Sequence, residues 1–492
     1  MVRLKKFYVT TPIYYVNASP HIGHAYTTIA ADVLARWHRL KKQDVFFLTG
    51  TDEHGEKIQT AAEAIGKTPK GLADEVSEKF REAWKRLTIS NDDFIRTTDA
   101  RHTKVVAEFI RRLNDNGDIY KGEYVGWYCI PDETFWTQLQ LKNGRCPECG
   151  REVELVKEEA YFFRLSKYQE RLLRLYEENP SFLSPPSRSP EIITRVQEEL
   201  KDLCVTRRAV RWAVQFPLDG QHYVYVWLDA LINYLSALDW PNGSRFIKYW
   251  PPDVQLVGKE INWFHSVIWP ALLMSVSVEP PRKVFSHGWW TVGGEKMSKS
   301  RGNVVDPVEV CGRYSVDAFR YFVLREMAFG DDGDFSEAAL RARVNGELVA
   351  DLGNLLNRAV TLAEKYEGKV QGKDEVTVNL HMEEIKRCMD LLGFHGALAE
   401  IWVFIRSVNS YVNERRPWKL RDEELGNVLY NLLESLRIIS ILVSAFMPET
   451  SAEMNRQLGI QSGFLEDCTF KTWQGNVRKG RLLFEKIRTP LQ

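Results

Sequence analysis

Long apolar runs are the first thing this chain of 492 residues lacks. A membrane span needs about 20 mostly apolar residues. The best candidate, Ile438 to Met447, is about half as long and carries Ser440 and Ser444, so it reads as a buried helix. Met1 to Lys6 leads into a Phe-Tyr-Val run with no apolar signal core or small-residue cleavage site, so a cytoplasmic location is expected. Cysteine is scarce: seven residues, at 129, 146, 149, 204, 311, 388 and 468, of which only the first three cluster. That argues against a disulfide framework and for a reducing compartment. Gly (31) and Pro (20) are too few for a fibrous or low-complexity chain. Excess charge is also missing, with 66 Lys plus Arg against 66 Asp plus Glu. Any nucleic-acid surface must therefore be a local patch.

What is present is length. Single cores stop growing near ~250 to 300 residues, so several domains are expected. Lys6 to Thr11 and Val45 to Thr49 are β-rich, and Ile29, Val33 and Trp37 recur at helical spacing between them. Strand, helix, strand opens a parallel sheet with a right-handed crossover. The predicted fold is α/β: a Rossmann-type doubly wound parallel sheet with a connective insertion carrying a cysteine knuckle, followed by an all-α helical bundle. Its expected parts are residues 1–118 and 208–285 for the two halves of the sheet domain, 119–207 for the insertion, 286–345 for a linker and 346–492 for the bundle. In the bundle, Leu425 to Val443 is periodic behind Asp422, the expected N-cap.

Four clusters carry chemistry. In Asn17-Ala18-Ser19-Pro20-His21-Ile22-Gly23-His24, Ser19 suits an N-cap and Pro20 the first helical position. His21 and His24 then share a face at the positive end of the helix dipole, a phosphate site by geometry. Gly23 would let a flat ligand approach the backbone. In Gly293-Gly294-Glu295-Lys296-Met297-Ser298-Lys299-Ser300-Arg301, glycines precede three cations that can close on a polyphosphate. In the insertion, Cys129-Ile130-Pro131-Asp132 and Cys146-Pro147-Glu148-Cys149 have the spacing of a structural zinc knuckle, or of one that has lost its metal. Arg406, Arg415, Arg416, Lys419 and Arg421 make the one basic patch, with Trp418 as a base-stacking platform.

His21-Ile22-Gly23-His24 and Lys296-Met297-Ser298-Lys299-Ser300 match the two signatures of the class I aminoacyl-tRNA synthetases. The lead-in from Thr11 to Asn17 resembles the methionine-specific branch. The resemblance runs from about residue 5 to about 450. It implies an ATP-dependent, AMP-forming ligase that converts methionine to methionyl-adenylate with release of pyrophosphate, then esterifies the 3′ end of tRNA(Met), initiator tRNA included, with Mg2+ accompanying ATP. It implies that His21, Gly23, His24, Lys296 and Lys299 are catalytic and that His21, His24, Lys299 and Arg207 meet ATP. Asp52 would bind the methionine ammonium, and Ile13, Tyr15, Trp227, Ala230, Tyr234, Ile261 and His265 would line the thioether socket. Asn354, Arg358, Asn413 and Trp418 would read the anticodon. Asp132 stands where zinc-binding relatives carry Cys, so a metal site would be Cys129, Asp132, Cys146 and Cys149. The chain is expected to be monomeric, since it ends soon after the bundle. A class I synthetase for another amino acid and a non-catalytic tRNA-binding paralogue are the alternatives.

Overall fold

The computed structural model describes residues 5–131, 134–136, 138–208, 210–297 and 302–488. At its centre is a six-stranded sheet. β1 (Lys6–Tyr15), β2 (Asp44–Asp52) and β3 (Asp93–Arg96) form one half, and the strands Val254–Gly258, Val284–His287 and Leu183–Ser184 form the other. The spatial order is β3, β2, β1, Val254–Gly258, Val284–His287, Leu183–Ser184, with every pairing parallel. The order reverses between β1 and Val254–Gly258, so connections leave in opposite directions and a crevice opens beyond the carboxyl ends of those strands. The edge strand Leu183–Ser184 comes from within the stretch read as insertion.

β1 is longer than its β-rich run suggested. It passes through Pro12, where the register shifts between Thr10 and Ile13, and continues so that Ile13, Tyr14 and Tyr15 pair with Gly50, Thr51 and Asp52. A proline is tolerated at such an irregularity because the ladder there does not need its missing N–H. Ile13, Tyr15 and Asp52 thereby stand together at the carboxyl end of the sheet, beside the crevice.

The insertion forms its own antiparallel sheet, ordered Thr134–Trp136, Ile119–Cys129, Glu154–Phe163, Leu203–Cys204. The carboxyl-terminal part is helical, with Phe394–Arg415 and Asp422–Ser444 the longest of its elements. The second of these starts at Asp422, with extended Arg421 at the cap position, so Asp422 is not the N-cap. Asp422, Glu423 and Glu424 instead sit in the first turn, where the dipole favours negative charge. The helix is long and apolar enough to cross a membrane, but 83% of its apolar window is buried, which makes it the bundle's core helix.

One contiguous apolar cluster joins α1 (Ile22–Leu40), through Ile29 and Val33, to Phe319, Phe322, Trp402 and Leu432 of the helical part. At that junction Arg320 is fully buried. It donates to Asp32 Oδ2 on α1 at 2.6 Å and to the carbonyls of Leu87, Phe446 and Ala445 at 3.1, 2.8 and 3.2 Å. Asp32 also accepts from Arg36 and Ser90, so the buried charge is fully paired.

Candidate active site

α1 begins later than its sequence suggested. Ser19 and Pro20 lie outside it, and His21 itself is the N-cap, with extended backbone. His21 Nδ1 accepts from the Gly23 N–H at 3.1 Å, and His24 Nδ1 accepts from the His21 N–H at 3.2 Å. Two histidines thus make the reciprocal capping box that Ser and Glu usually supply. Their rings stack at 3.7 Å between centroids. A Cβ on Gly23 would lie 2.9 Å from the His21 ring, so the glycine is required by this cap before any ligand is considered. Burial lowers the His21 pKa to about 4 and holds that of His24 well below its ordinary value, helped by the neighbouring His21. Both rings are neutral at pH 7. Because each Nδ1 accepts from a backbone N–H, each proton resides on Nε2, a donor for an anion.

Across the crevice lies an aromatic socket. Trp227, on the short helix Val226–Leu231, stacks on Phe264 at 4.1 Å and meets Tyr15 edge-on at 6.3 Å. Ala230 is buried on the same helix. Tyr234 and His265 are buried together, with Tyr234 Oη 2.7 Å from His265 Nε2. His265 Nδ1 lies 3.0 Å from the Ile261 carbonyl, which can only accept, so His265 carries its proton on Nδ1 and Tyr234 donates to Nε2. Burial keeps His265 neutral, with a pKa of about 4. The helical segment that carries His265 is π-type over Phe264–Ile268 and α from Trp269 to Ser275. Such wide turns recur at functional sites, and this one carries His265. Ile13 and Ile261 pack at the edge of a second apolar cluster, which contains Tyr234, and Asp52 is buried at the end of β2.

The strands Trp290–Val292 and Glu295–Lys296 make a hairpin turned by Gly293 and Gly294, both at positive φ (62° and 75°), which glycine adopts without strain. Asp334 braces it, accepting from the Gly294 N–H at 2.9 Å and from the Thr291 hydroxyl at 2.7 Å. Lys299 lies outside the described residues. Beyond it the chain returns to α1, where the Ile22 N–H donates to the Val305 carbonyl at 3.0 Å. The lysine loop is therefore anchored at its exit to the first residue of the histidine helix.

Arg207, in the strand Thr206–Arg207, ion-pairs with Glu158 at 3.0 Å and lies 4.0 Å over the Tyr128 ring, in a small cavity lined also by Gly55, Glu56 and Val226. The ligating atoms of Cys129, Cys146 and Cys149 lie within 4.8 Å of one another, with Cys129 and Cys149 sulfurs 3.5 Å apart. Sulfurs bound at about 2.3 Å around a tetrahedral zinc stand a little under 4 Å apart, so these three fit the ion. Asp132 lies outside the described residues. On the bundle, Arg358 Nη2 donates to Asn413 Oδ1 at 3.1 Å, and its guanidinium lies 5.6 Å from the ring of Trp418, which is 55% exposed. Asn354 is one helical turn before Arg358.

The family model described as tRNA synthetases class I (M) matches residues 7–155 and 137–360. A methionine–tRNA ligase of Caldanaerobacter subterraneus is 50% identical over 510 residues, spanning 98% of this chain and 79% of that protein. One of Thermotoga maritima is 48% identical over 98% of this chain and 80% of its own length. Methionyl-tRNA synthetase of Mycobacterium tuberculosis, solved in complex with methionyl-adenylate, superimposes with a TM-score of 0.93 at 39% identity, over 98% of this chain and all of that one. The chain belongs to the methionine–tRNA ligase family.

Two features of this methionine–tRNA ligase family member have no motif of their own. Phe264 backs Trp227, and a buried network joins His54, Asp229 and His102 behind the socket. A signal for the second does exist. Asp229 interrupts the apolar stretch Val226 to Ile232, and a carboxylate there is costly unless it is paired.

Proposed function

We propose that this protein activates methionine with ATP, releasing pyrophosphate, and transfers the methionyl group to the 3′ end of tRNA(Met), initiator tRNA included. The observation that carries this is the meeting, at the switch point of one parallel sheet, of a neutral histidine pair and an aromatic socket. A methionine carboxylate oxygen attacks the α-phosphorus of ATP as the bond to pyrophosphate breaks. A terminal ribose hydroxyl of the tRNA then attacks the adenylate carbonyl and AMP leaves. Chemistry of this kind asks the protein for positioning and charge stabilisation.

His21 and His24 donate from Nε2 to phosphate oxygens, and their neutrality suits them to bind a chain whose charge is already offset by Mg2+. Lys296 and Lys299 hold the pyrophosphate as its charge develops. Asp52 takes the ammonium, with Tyr15 beside it in the register. Trp227, Tyr234 and His265, with Ile13, Ala230 and Ile261, enclose the thioether, and sulfur against aromatic edges contributes roughly 0.3 to 1.5 kcal/mol. The His265–Tyr234 bond consumes His265's acceptor nitrogen, so His265 presents no hydrogen-bonding demand that an apolar ligand would leave unmet. Arg207 supports the ATP side from the rim of the insertion.

Residues 1–118 with 208–285 act as the catalytic domain, 119–207 as the connective insertion, 286–345 as the linker with the lysine loop, and 346–492 as the anticodon-binding domain. Asn354, Arg358, Asn413 and Trp418 read the anticodon. Cys129, Cys146 and Cys149, with Asp132, would hold one structural zinc that braces the insertion's tip. The protein works in the cytoplasm as a monomer.

The test is amino-acid-dependent exchange of pyrophosphate into ATP, run with all twenty amino acids and no tRNA. Exchange with methionine alone is expected. Exchange with another amino acid would overturn the socket, and none at all would favour a non-catalytic tRNA binder.

A further inference from the structure

The Asp229 carboxylate is 1% exposed, in a place where the reaction gives it no part. Its Oδ2 accepts from His54 Nδ1 at 2.7 Å and its Oδ1 from His102 Nε2 at 2.9 Å, while His102 Nδ1 hydrogen-bonds Ser236 Oγ at 2.8 Å. Each partner belongs to a different element. His54 is two residues past Asp52 on the β2 exit. Asp229 lies between Trp227 and Ala230. Ser236 is two residues past Tyr234, and His102 comes from the helix Ala100–Asp115 behind them. The network therefore ties together the three segments that carry Asp52, Trp227 with Ala230, and Tyr234. The β2 exit is gripped again by Trp212, whose Nε1 donates to the Glu53 carbonyl.

We propose that Asp229 is a positioning residue for methionine, fixing the distance between the ammonium acceptor and the aromatic wall through His54 and His102. It touches neither substrate. A site must hold its groups within about 0.5 Å, and buried hydrogen bonds behind the contacting side chains set that tolerance. The ATP half of the crevice is held separately, by the histidine cap and by Thr27, whose hydroxyl lies 2.7 Å from His287 Nε2. Loosening the Asp229 network should accordingly weaken methionine binding and spare ATP.

This rests on the methionine site proposed above, and exchange kinetics separate the two. For Asp229→Asn, which keeps the shape but cannot accept from both histidines, methionine KM should rise about tenfold or more while ATP KM stays within about twofold. Ser236→Ala, a milder cut in the same network, should raise methionine KM by a few-fold in the same direction and decides the matter if Asp229→Asn does not fold. Equal rises in both KM values, or folded variants with unchanged methionine KM, would overturn the inference. A wild-type protein without methionine-dependent exchange would instead overturn the function.

Discussion

Replacing Trp418 by alanine separates the two steps of the reaction. The side chain is more than half exposed on a short 3-10 turn between buried Pro417 and Lys419, entered through Arg416 in the left-handed conformation (φ 48°). Removing an exposed ring leaves no cavity, so the melting temperature should not move. What is lost is the stacking face, with the Arg358 guanidinium beside it. Base–aromatic stacking is worth roughly 1 to 3 kcal/mol per base, which is a factor of about 5 to 150. The helix Asp422–Ser444 then puts about 34 Å between this face and the Arg320 junction with α1. Steady-state aminoacylation should therefore lose about 5- to 150-fold in kcat/KM for tRNA, while pyrophosphate exchange without tRNA is unchanged. Trp418→Phe should fall between. Parallel loss of exchange and charging, or unimpaired charging, would refute the assignment.

Lys299→Ala should lower methionine-dependent exchange by roughly a hundredfold or more with circular dichroism unaltered, and a binder without catalysis would show no such dependence. Burial holds His21 and His265 at about 4, while the unfolded chain takes up their protons near pH 6.5. The stability gained from keeping them neutral is complete above about pH 6.5 and is lost as pH falls toward 4, so the melting temperature should drop between pH 7 and 5; a flat profile would contradict the neutral capping pair. Purified protein should contain one zinc per chain, and Cys146→Ser should lose it together with thermal stability. Protein that is metal-free yet melts unchanged would leave the knuckle without a metal.

Much of the proposed site was legible because the chemistry it would perform demands residues that fold alone does not. Histidines at a strand-to-helix turn and glycines before a lysine-rich loop are costly or unusual as plain structure, so their pattern carries information. Asn413-x-x-x-Pro417-Trp418 drew Arg358 and Asn354 into one patch only by resemblance, and the contact between Arg358 and Asn413 is a tertiary fact. The cap was misread because Ser19 and Pro20 are better local formers than histidine. Two imidazoles win at His21 because each satisfies a backbone N–H of the first turn while the stacked rings are buried.

The order of elements, the parallel sheet and the helical bundle follow from periodicity and spacing along the chain, which are local properties, and the side chains proposed to react were marked by short motifs and by the resemblance those motifs carry. The neutrality of His21, His24 and His265, the pairing of Tyr15 with Asp52 and the grip of Asp229 on three segments depend on groups brought together from 37 to 175 positions apart, or on burial that no local pattern measures. Only packing decides those. Hydrogen-bond direction and desolvation depend on what surrounds a group in space, not on its neighbours in sequence.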